Sequence, residues 1–247
     1  MVMNTVIKRT SDYLTRWDVI LFLATTLPLV VFPHIDIWAS RQFFMEGQFF
    51  LAHVAFVEFI YYVFARIHLF FFAVFVVGLI ITFVRKTPKA RLWRKKILFL
   101  LLVMLLGPGL LVNGILKDHS FGRPRPIQVE QFGGHDHFAP ALRYSGECRT
   151  NCSFVCGHAS IAFFVMAFAW VFRRRYLFTA GLALGILVGL VRMVQGGHFL
   201  SDVVFAFWAV YFTILPLAYL FKFELKLIND ERKVKVRKVV LGVVDFW

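Results

Sequence analysis

Charged residues are scarce in this chain, and acidic residues are the scarcest. Only 17% of the 247 residues are charged, and the 14 acidic residues are outnumbered two to one by 28 lysines and arginines. Ordinary soluble domains contain about 25% charged residues. With 60% hydrophobic residues and a mean hydropathy of +0.72, the composition excludes an ordinary soluble domain and indicates a polytopic membrane protein.

The positive charge is confined to a few segments that alternate with apolar runs. Twenty of the 28 lysines and arginines lie in four such segments, at residues 8–16, 85–96, 173–175 and 222–238. This is the positive-inside pattern, so these segments and both termini are predicted to face the cytoplasm. Nucleic acid is not an expected partner, because its binding requires basic groups that converge on one folded surface. The expected partner is the bilayer itself.

The apolar runs predict an all-α, polytopic bundle of six transmembrane helices in a single domain over residues 1–247. Residues 1–16 are expected to form a cytoplasmic leader and residues 222–247 a basic cytoplasmic tail. An interfacial helix is expected at Leu51–Ala65, and Gly107-Pro108-Gly109 predicts a kink in the third span. The predicted spans are Trp17–Phe32, Ile67–Val84, Ile97–Leu116, His158–Phe172, Leu177–Val191 and Val203–Phe221.

Only three cysteines are present, and all lie near the end of the long polar segment between the third and fourth spans. Because that segment is predicted to lie outside the cytoplasm, Cys148 and Cys152 are candidates for a local disulfide. Three thiols without a matching histidine spacing do not favour a metal site. His135 and His137 form an alternative metal-ligand pair in the same loop, although a solvated or substrate-binding loop is the favoured interpretation.

A cluster of polar residues occurs between the last two apolar runs. His198 and Asp202 are four residues apart, so a helix beginning near the histidine would place both on one face, with the carboxylate orienting the imidazole. Arg192 lies six residues before His198, across Gly196-Gly197, where the backbone can turn sharply. Charged groups at the end of a membrane helix are costly, and they indicate a functional site.

In the predicted topology, other polar residues fall in the same layer at the outer membrane boundary. Lys117, Arg123 and Arg125 supply positive charge, and Gly157-His158 begins a helix whose N-terminus favours an anion. Together with Arg192 they give a set of donors suited to a phosphate group. The residues alone therefore predict an anion site at which a histidine and an aspartate are available for catalysis.

These residues resemble the three signature motifs of the type 2 phosphatidic acid phosphatase superfamily. The motifs are Lys117 with Arg125-Pro126, Cys156-Gly157-His158, and Arg192 with His198 and Asp202; the third matches in full. The resemblance extends from about Ile97 to Phe221. The segments that more narrowly resemble the lipid A 4′-phosphatase branch are Gly107–Asn113, Val129–Phe132 and Asn151–His158.

The resemblance implies a six-span phosphatase that requires no metal or other cofactor. His198 would attack the phosphorus to form a phosphohistidine, Asp202 would hold its imidazole, and His158 would protonate the leaving oxygen and later activate water. The phosphate oxygens would be bound by positively charged side chains and by the helix N-terminus. The residues expected to contact phosphate are Lys117, Arg125, Arg123, Arg192, Gly157 and Cys156.

Two departures from the motifs leave alternatives open. Five residues separate Lys117 from Arg123 and seven separate it from Arg125, where the family usually has six; Arg125 is preferred, and Arg123 remains a candidate. Cys156 stands where the family usually has serine, and a thiol donates a weaker hydrogen bond than a hydroxyl. Cys156 as the nucleophile is the alternative chemistry.

The sequence therefore predicts a multi-pass protein of a bacterial inner membrane with its active site at the periplasmic face. The expected substrate is a phosphorylated membrane lipid, namely lipid A or its precursor with the 4′-phosphate favoured, and no obligate protein partner is expected. Undecaprenyl diphosphate and phosphatidylglycerophosphate are the alternative substrates. A lipid-binding or transport protein without catalytic activity is the alternative from a different class, and it would not require the set His158, His198 and Asp202.

Overall fold

The computed structural model describes residues 16–117 and 120–224, and these residues are mostly helical, with non-helical structure at residues 42–54 and over most of residues 120–156. The predictions for most of the leader and tail fall on residues 1–15 and 225–247, which lie outside the described residues. The helices are α1 (Arg16–Val31), α2 (His34–Arg41), α3 (Ala55–Val84), α4 (Pro88–Met104), α5 (Gly157–Phe163), α6 (Phe168–Phe172), α7 (Arg175–Val194) and α8 (Leu200–Leu220). A short antiparallel hairpin pairs β1 (Phe44–Met45) with β2 (Gln48–Phe49).

Four helical stretches in the described part of the chain are long and apolar enough to cross a membrane. They are Ala55–Val84, Pro88–Lys117, Arg175–Val194 and Leu200–Leu220. The pair formed by α1 and α2 would be a fifth if counted as one span, although it bends by 87°. The stretch Gly157–Phe172, predicted as the fourth span, is apolar but shorter than a typical membrane-spanning helix. The structure thus supports four to five spans directly.

The predicted interfacial helix at Leu51–Ala65 is not a separate element. It belongs to α3, which runs without interruption through the predicted second span for 30 residues. The reason is local: no glycine or proline occurs between Ala55 and Val77, so nothing in the backbone stops the helix at the polar residues Arg66 and His68. Charge alone does not end a helix.

The expected kink in the third span is instead a change of helix type. After α4 the chain continues as a π-helix over Leu105–Lys117, which includes Pro108. Proline has no amide hydrogen and its ring clashes with the preceding turn, so the regular α-helical pattern cannot continue there. The side chain of Asn113 donates a hydrogen bond of 2.7 Å to the carbonyl of Pro108. The wider turns bring Asn113 and Lys117 towards the beginning of α5.

The helices α5 and α7 pack with almost no space between them. A β-carbon added at Gly185 of α7 would lie 2.0 Å from the ring of Phe163, and one added at Gly181 would lie 2.4 Å from the backbone nitrogen of Met166. Both contacted residues are fully buried in the main apolar core. Glycine at these positions therefore allows the two helices to approach closely, as in other membrane helix pairs.

The Gly185→Ala substitution should destabilise the fold, because the added methyl group must displace the buried ring of Phe163. We expect a loss of about 1–3 kcal/mol, the usual cost of overpacking a core. The measurement is the thermal unfolding midpoint in detergent. Gly114→Ala is the matched control, since its β-carbon would meet its nearest neighbour at an ordinary 3.6 Å. Equal midpoints for the two variants would contradict the close packing of α5 and α7.

Candidate active site

His198 lies in the short loop between α7 and α8 and is completely buried. The helix α8 begins at Leu200, so His198 and Asp202 do not share a helix face as predicted. They meet because the Asp202 carboxylate turns back over the start of α8, where it accepts a 2.8 Å hydrogen bond from the backbone N–H of Phe199. Its Oδ2 lies 3.5 Å from Nδ1 of His198.

The carboxylate of Asp202 is fixed on every side. Oδ1 accepts a hydrogen bond of 2.6 Å from Arg123, and Oδ2 accepts one of 2.5 Å from the hydroxyl of Ser153. The backbone carbonyl of Asp202 accepts a hydrogen bond from the N–H of Cys156, which joins α8 to the start of α5. A carboxylate held in this way can fix both the orientation and the tautomer of His198. Neither ring nitrogen of His198 has a hydrogen-bond partner among the described residues, but Nδ1 is the one that faces the carboxylate. A proton on Nδ1 would leave Nε2 with a free electron pair.

Arg123 does not occupy the position expected of a phosphate ligand. Its side chain is completely buried, and its guanidinium donates to the carboxylates of Asp202 and Asp36, to the hydroxyl of Ser201 and to the carbonyl of Ala139, at 2.6–2.8 Å. Burial by itself lowers the pKa of Arg123, but the two carboxylates outweigh it and hold the pKa above its usual value. Arg123 is a buried cation that supports Asp202, because its donors point to protein groups.

Arg192, near the end of α7, is also buried, but its guanidinium is only partly engaged. It donates to the side chain of Gln195 and lies over the ring of Tyr61, 4.7 Å from the ring centre. Its Nε has no hydrogen-bond partner within the described ranges. A β-carbon at Gly197 would lie 2.2 Å from one terminal nitrogen of Arg192. The second glycine of the Gly196-Gly197 pair therefore leaves space for this guanidinium.

His158 lies in the first turn of α5, where its ring packs against the Tyr61 ring of α3. Its imidazole stacks on Tyr61, with ring centres 5.0 Å apart and planes 22° from parallel. Its Nε2 is buried and finds no hydrogen-bond partner among residues 16–117 and 120–224. Lys117 and Arg192 act electrostatically on both His158 and His198. The structure thus brings these four residues, all identified from the sequence, into one site.

Lys117 and His158 line the polar end of a cavity of about 310 Å³ between α3 and the π-helix. Most of the remaining wall is apolar. The other residues that line the cavity are Phe64, Ala65, His68, Leu69, Phe72, Met104, Leu105, Pro108, Gly109, Asn113, Gly157 and Ile161. An occupant of this cavity would therefore meet one charged and one polar side chain, Lys117 and His158, together with a mostly aliphatic and aromatic wall.

The residues before His158 are packed too tightly for larger side chains. A β-carbon at Gly157 would lie 2.5 Å from Oδ1 of Asn113, so glycine keeps the N-terminus of α5 close to the π-helix. Cys156 is buried, and its sulfur accepts a hydrogen bond from the backbone N–H of Ala159. Burial raises the pKa of Cys156 to about 11 even though Arg192 is nearby, so the thiol is protonated at neutral pH. This weighs against Cys156 as a nucleophile.

The long segment between the π-helix and α5 contributes to the site and is fixed by local bonds. Cys148 and Cys152 form the disulfide that their spacing indicated, with α-carbons 5.6 Å apart. The half-buried Arg125 donates two hydrogen bonds to the carbonyl of Asn151, at 2.8 and 3.2 Å, and acts electrostatically on His158 and Arg192. Arg125 therefore lies at the rim of the site, with part of its guanidinium engaged by the loop.

His135 and His137, the alternative metal ligands, lie in this segment. His137 lies 3.2 Å from Glu130, and both side chains are mostly exposed. No group of three or more histidine, cysteine or acidic side chains suited to a metal ion occurs in the part of the chain that the structure describes. His135 and His137 therefore give no structural basis for the alternative metal site.

Sequence reasoning missed four residues that the structure places around the site: Asp36, Tyr61, Ser153 and Ser201. Ser153 and Ser201 each lie within five residues of a motif histidine, so proximity in sequence was an available signal. Asp36 and Tyr61 lie far upstream, and no spacing relates them to His198. The 87° bend between α1 and α2, at Pro33, carries Asp36 to the start of α8.

The pKa of His198 provides a test of this geometry. Burial is the main cause that lowers its pKa to about 4, and the neighbouring Asp202 only partly opposes that effect. Because the pKa lies below the usual value, the imidazole should remain neutral through pH 5–8 and become charged only as the pH falls towards 4. We expect ¹⁵N NMR of histidine-labelled protein, assigned with His198→Ala, to show no titration of this ring near pH 6.5. A midpoint near 6.5 would contradict its burial.

Comparison with known proteins places this site in a family. Residues 96–226 match the model of the PAP2 superfamily. The chain is 39% identical to a protein of Francisella tularensis subsp. novicida named lipid A 4′-phosphatase. This alignment extends over 188 residues and covers 74% of this chain and 84% of that protein. It is 46% identical over 110 residues to a protein of the same name from Rhizobium leguminosarum, covering 41% of this chain and 44% of that protein.

No solved structure matches the chain. The matched region contains Lys117, His158, Arg192, His198 and Asp202, the residues that converge in the structure. The chain therefore belongs to the PAP2 superfamily and is a phosphoric monoester hydrolase of the membrane.

Proposed function

We propose that this protein removes the 4′-phosphate from lipid A or its precursor, through a phosphohistidine intermediate and without a metal ion. The observation that carries the proposal is the state of His198: Nδ1 faces Asp202 at 3.5 Å, and the buried Nε2 has no hydrogen-bond partner in the described chain. An imidazole oriented in this way is a nucleophile in the correct tautomer. The two relatives named lipid A 4′-phosphatase support the choice of substrate.

In the first step, Nε2 of His198 forms a bond to phosphorus while the bond from phosphorus to the lipid oxygen breaks. The leaving oxygen takes a proton from His158. The negative charge of the incoming phosphate favours the protonated form of His158 that this step requires. The imidazole of His198 gains positive charge as the P–N bond forms, and Asp202 stabilises that charge.

In the second step, a water molecule attacks the phosphorus of the phosphohistidine. His158, now neutral, accepts the proton of the water, the P–N bond breaks, and inorganic phosphate leaves. Each residue then returns to its original protonation state. Two successive displacements at phosphorus require a nucleophile and a separate acid–base group, and these are the roles of His198 and His158.

The phosphate oxygens would be bound by Lys117, Arg192 and Arg125, with the N-terminus of α5 at Gly157 as a further donor. Nε of Arg192 has no partner in the described residues, so it is available to an oxygen of the phosphate. Phosphoryl transfer develops charge on these oxygens, and fixed cations in a buried site stabilise it without a metal. The fully engaged Arg123 takes no part in this binding.

The cavity beside His158 supports a lipid as the substrate. It is polar at Lys117 and His158 and apolar along α3 and the π-helix, as an amphiphile requires. Since apolar membrane helices flank the site, the phosphate of an embedded lipid could reach it with the acyl chains still in the bilayer. We further propose six spans, with Gly157–Phe172 as the short fourth span, cytoplasmic termini, and the active site at the periplasmic face of a bacterial inner membrane.

The first test is phosphate release by the purified protein in detergent, from lipid A beside undecaprenyl diphosphate and phosphatidylglycerophosphate. We expect release from lipid A, and His198→Ala should reduce it by at least about 1,000-fold, because the nucleophile is lost. His137→Ala is the matched control, since His137 is an exposed histidine of the outer segment. Strong phosphate release from the other lipids with none from lipid A would contradict lipid A as the substrate. Full activity of His198→Ala would contradict His198 as the nucleophile.

A second test separates this chemistry from its two alternatives. Activity should be unchanged by EDTA, since the described residues offer no metal-binding cluster. Cys156→Ser should retain most of the activity, because the buried thiol accepts a structural hydrogen bond from Ala159 that a hydroxyl can also accept. Loss with EDTA that Mg²⁺ or Zn²⁺ restores would establish a metal mechanism. A Cys156→Ser variant as inactive as His198→Ala would move the nucleophile to the thiol.

A further inference from the structure

Asp36 is a completely buried carboxylate of α2, far from the three motifs in sequence. It accepts hydrogen bonds from three donors: the backbone N–H and the hydroxyl of Ser201, at 2.8 and 2.5 Å, and the guanidinium of Arg123, at 2.7 Å. Burial raises the pKa of Asp36 above its usual value, and the neighbouring Arg123 is the main cause that opposes this effect. The N–H of Ser201 and the guanidinium of Arg123 can only donate, so both favour the ionised carboxylate. We take Asp36 to be ionised on this geometry.

Arg123 connects this carboxylate to the catalytic pair. One terminal nitrogen binds Asp202 at 2.6 Å and the other binds Asp36 at 2.7 Å. A cation shared between two carboxylates neutralises neither of them completely. The buried group Asp36, Arg123 and Asp202 therefore carries a net charge of −1, which is located next to His198.

That net charge matters for the proposed reaction. If Asp202 and Arg123 were alone, they would form a neutral pair, and the guanidinium would draw the charge of Asp202 away from His198. In a buried site this effect is large, because little water is present to screen it. When Nε2 of His198 bonds to phosphorus, the imidazole becomes positively charged. Asp36 supplies the negative charge that offsets Arg123 and leaves Asp202 free to stabilise the imidazole.

We propose that Asp36 is a positioning residue of the active site, which fixes Arg123 and preserves the negative charge that Asp202 presents to His198. The proposal rests on the phosphohistidine mechanism described above. Asp36 lies outside residues 96–226, the region that matches the PAP2 superfamily. The N-terminal part of the chain would therefore complete the catalytic site electrostatically, in addition to its packing against α8.

The primary test is Asp36→Asn, which keeps the shape of the side chain and removes its charge. We expect kcat to fall by about 10- to 100-fold, the usual effect of removing a group that orients a functional residue, with KM changed little. Ser40→Ala is the matched control. Ser40 lies on the same helix and is equally buried, but its hydroxyl has no hydrogen-bond partner in the described residues. Thermal unfolding in detergent is recorded for every variant.

A double variant distinguishes the electrostatic role from a purely structural one. The double variant Asp36→Asn/Arg123→Gln lacks the guanidinium that would neutralise Asp202. The net charge beside His198 is then −1 again, as in the wild type. We expect kcat at least about 3-fold above that of Asp36→Asn alone, by the logic of a double-mutant cycle. A structural role predicts that removing a second buried partner lowers kcat further. Ser201→Ala, which keeps both charges and is a smaller change, should lower kcat less than Asp36→Asn does.

The outcomes separate this inference from the proposed function. Wild-type protein and His198→Ala are assayed in parallel with lipid A and with p-nitrophenyl phosphate. If Asp36→Asn retains the wild-type kcat while His198→Ala is inactive, the role of Asp36 is wrong and the mechanism stands. If the activity lost by Asp36→Asn equals the fraction of unfolded protein, the electrostatic role is also wrong. The same holds if the kcat of the double variant does not exceed that of Asp36→Asn. Wild-type activity in His198→Ala would overturn the mechanism itself.

If the double variant does not fold, trapping of the phosphorylated enzyme gives the second measurement. Rapid acid-free quenching with ³²P-labelled substrate should show slower formation of the labelled protein in Asp36→Asn than in Ser40→Ala. Equal rates of formation in the two variants would overturn the role of Asp36, whether or not the steady-state rates differ. Absence of labelled protein in the wild type would count against the phosphohistidine mechanism.

Discussion

The site depends on one buried cation, the guanidinium of Arg123. It joins its own segment, through the carbonyl of Ala139, to two parts of the chain that are distant in sequence: α2 through Asp36 and the start of α8 through Ser201 and Asp202. A buried charge is tolerated only when it is paired and hydrogen-bonded, and here every side of the guanidinium has a partner. Removing Arg123 would leave two carboxylates without their shared cation in the interior.

Buried polar groups around the site fall into two kinds. The groups behind His198 are fully engaged, with Arg123, Ser153 and Ser201 all bonded to Asp36 or Asp202. Other buried nitrogens have no hydrogen-bond partner within the described chain, namely Nε2 of His158, Nε of Arg192 and both ring nitrogens of His198. Unsatisfied buried nitrogens are costly in a protein. Nε of Arg192 can donate to an oxygen of an anionic ligand, whereas an unprotonated Nε2 of His198 offers its electron pair.

Sequence reasoning identified most of the motif residues of the site. It did not identify the residues that hold them in place, such as Asp36, Ser153 and Ser201. The proximity of His198 to Asp202, the convergence of Lys117, His158 and Arg192, and the disulfide of Cys148 with Cys152 follow from local spacing, charge and family motifs. The same reasoning assigned Arg123 to phosphate, because a sequence pattern indicates that a cation is present but not which anion it contacts. It also divided α3 in two, because polar residues at 66 and 68 resembled a boundary that the backbone does not require.

The sequence by itself determined the helical membrane architecture, the family and the set of polar motif residues that converge in the structure. Those properties reside in composition, hydrophobic runs and short motifs, which are local along the chain. Only the tertiary structure decided that Asp36 and Tyr61 belong to the site and that Arg123 faces inward. These contacts join residues more than 80 positions apart, and they exist because the bend at Pro33 and the close packing of the helices bring the segments together.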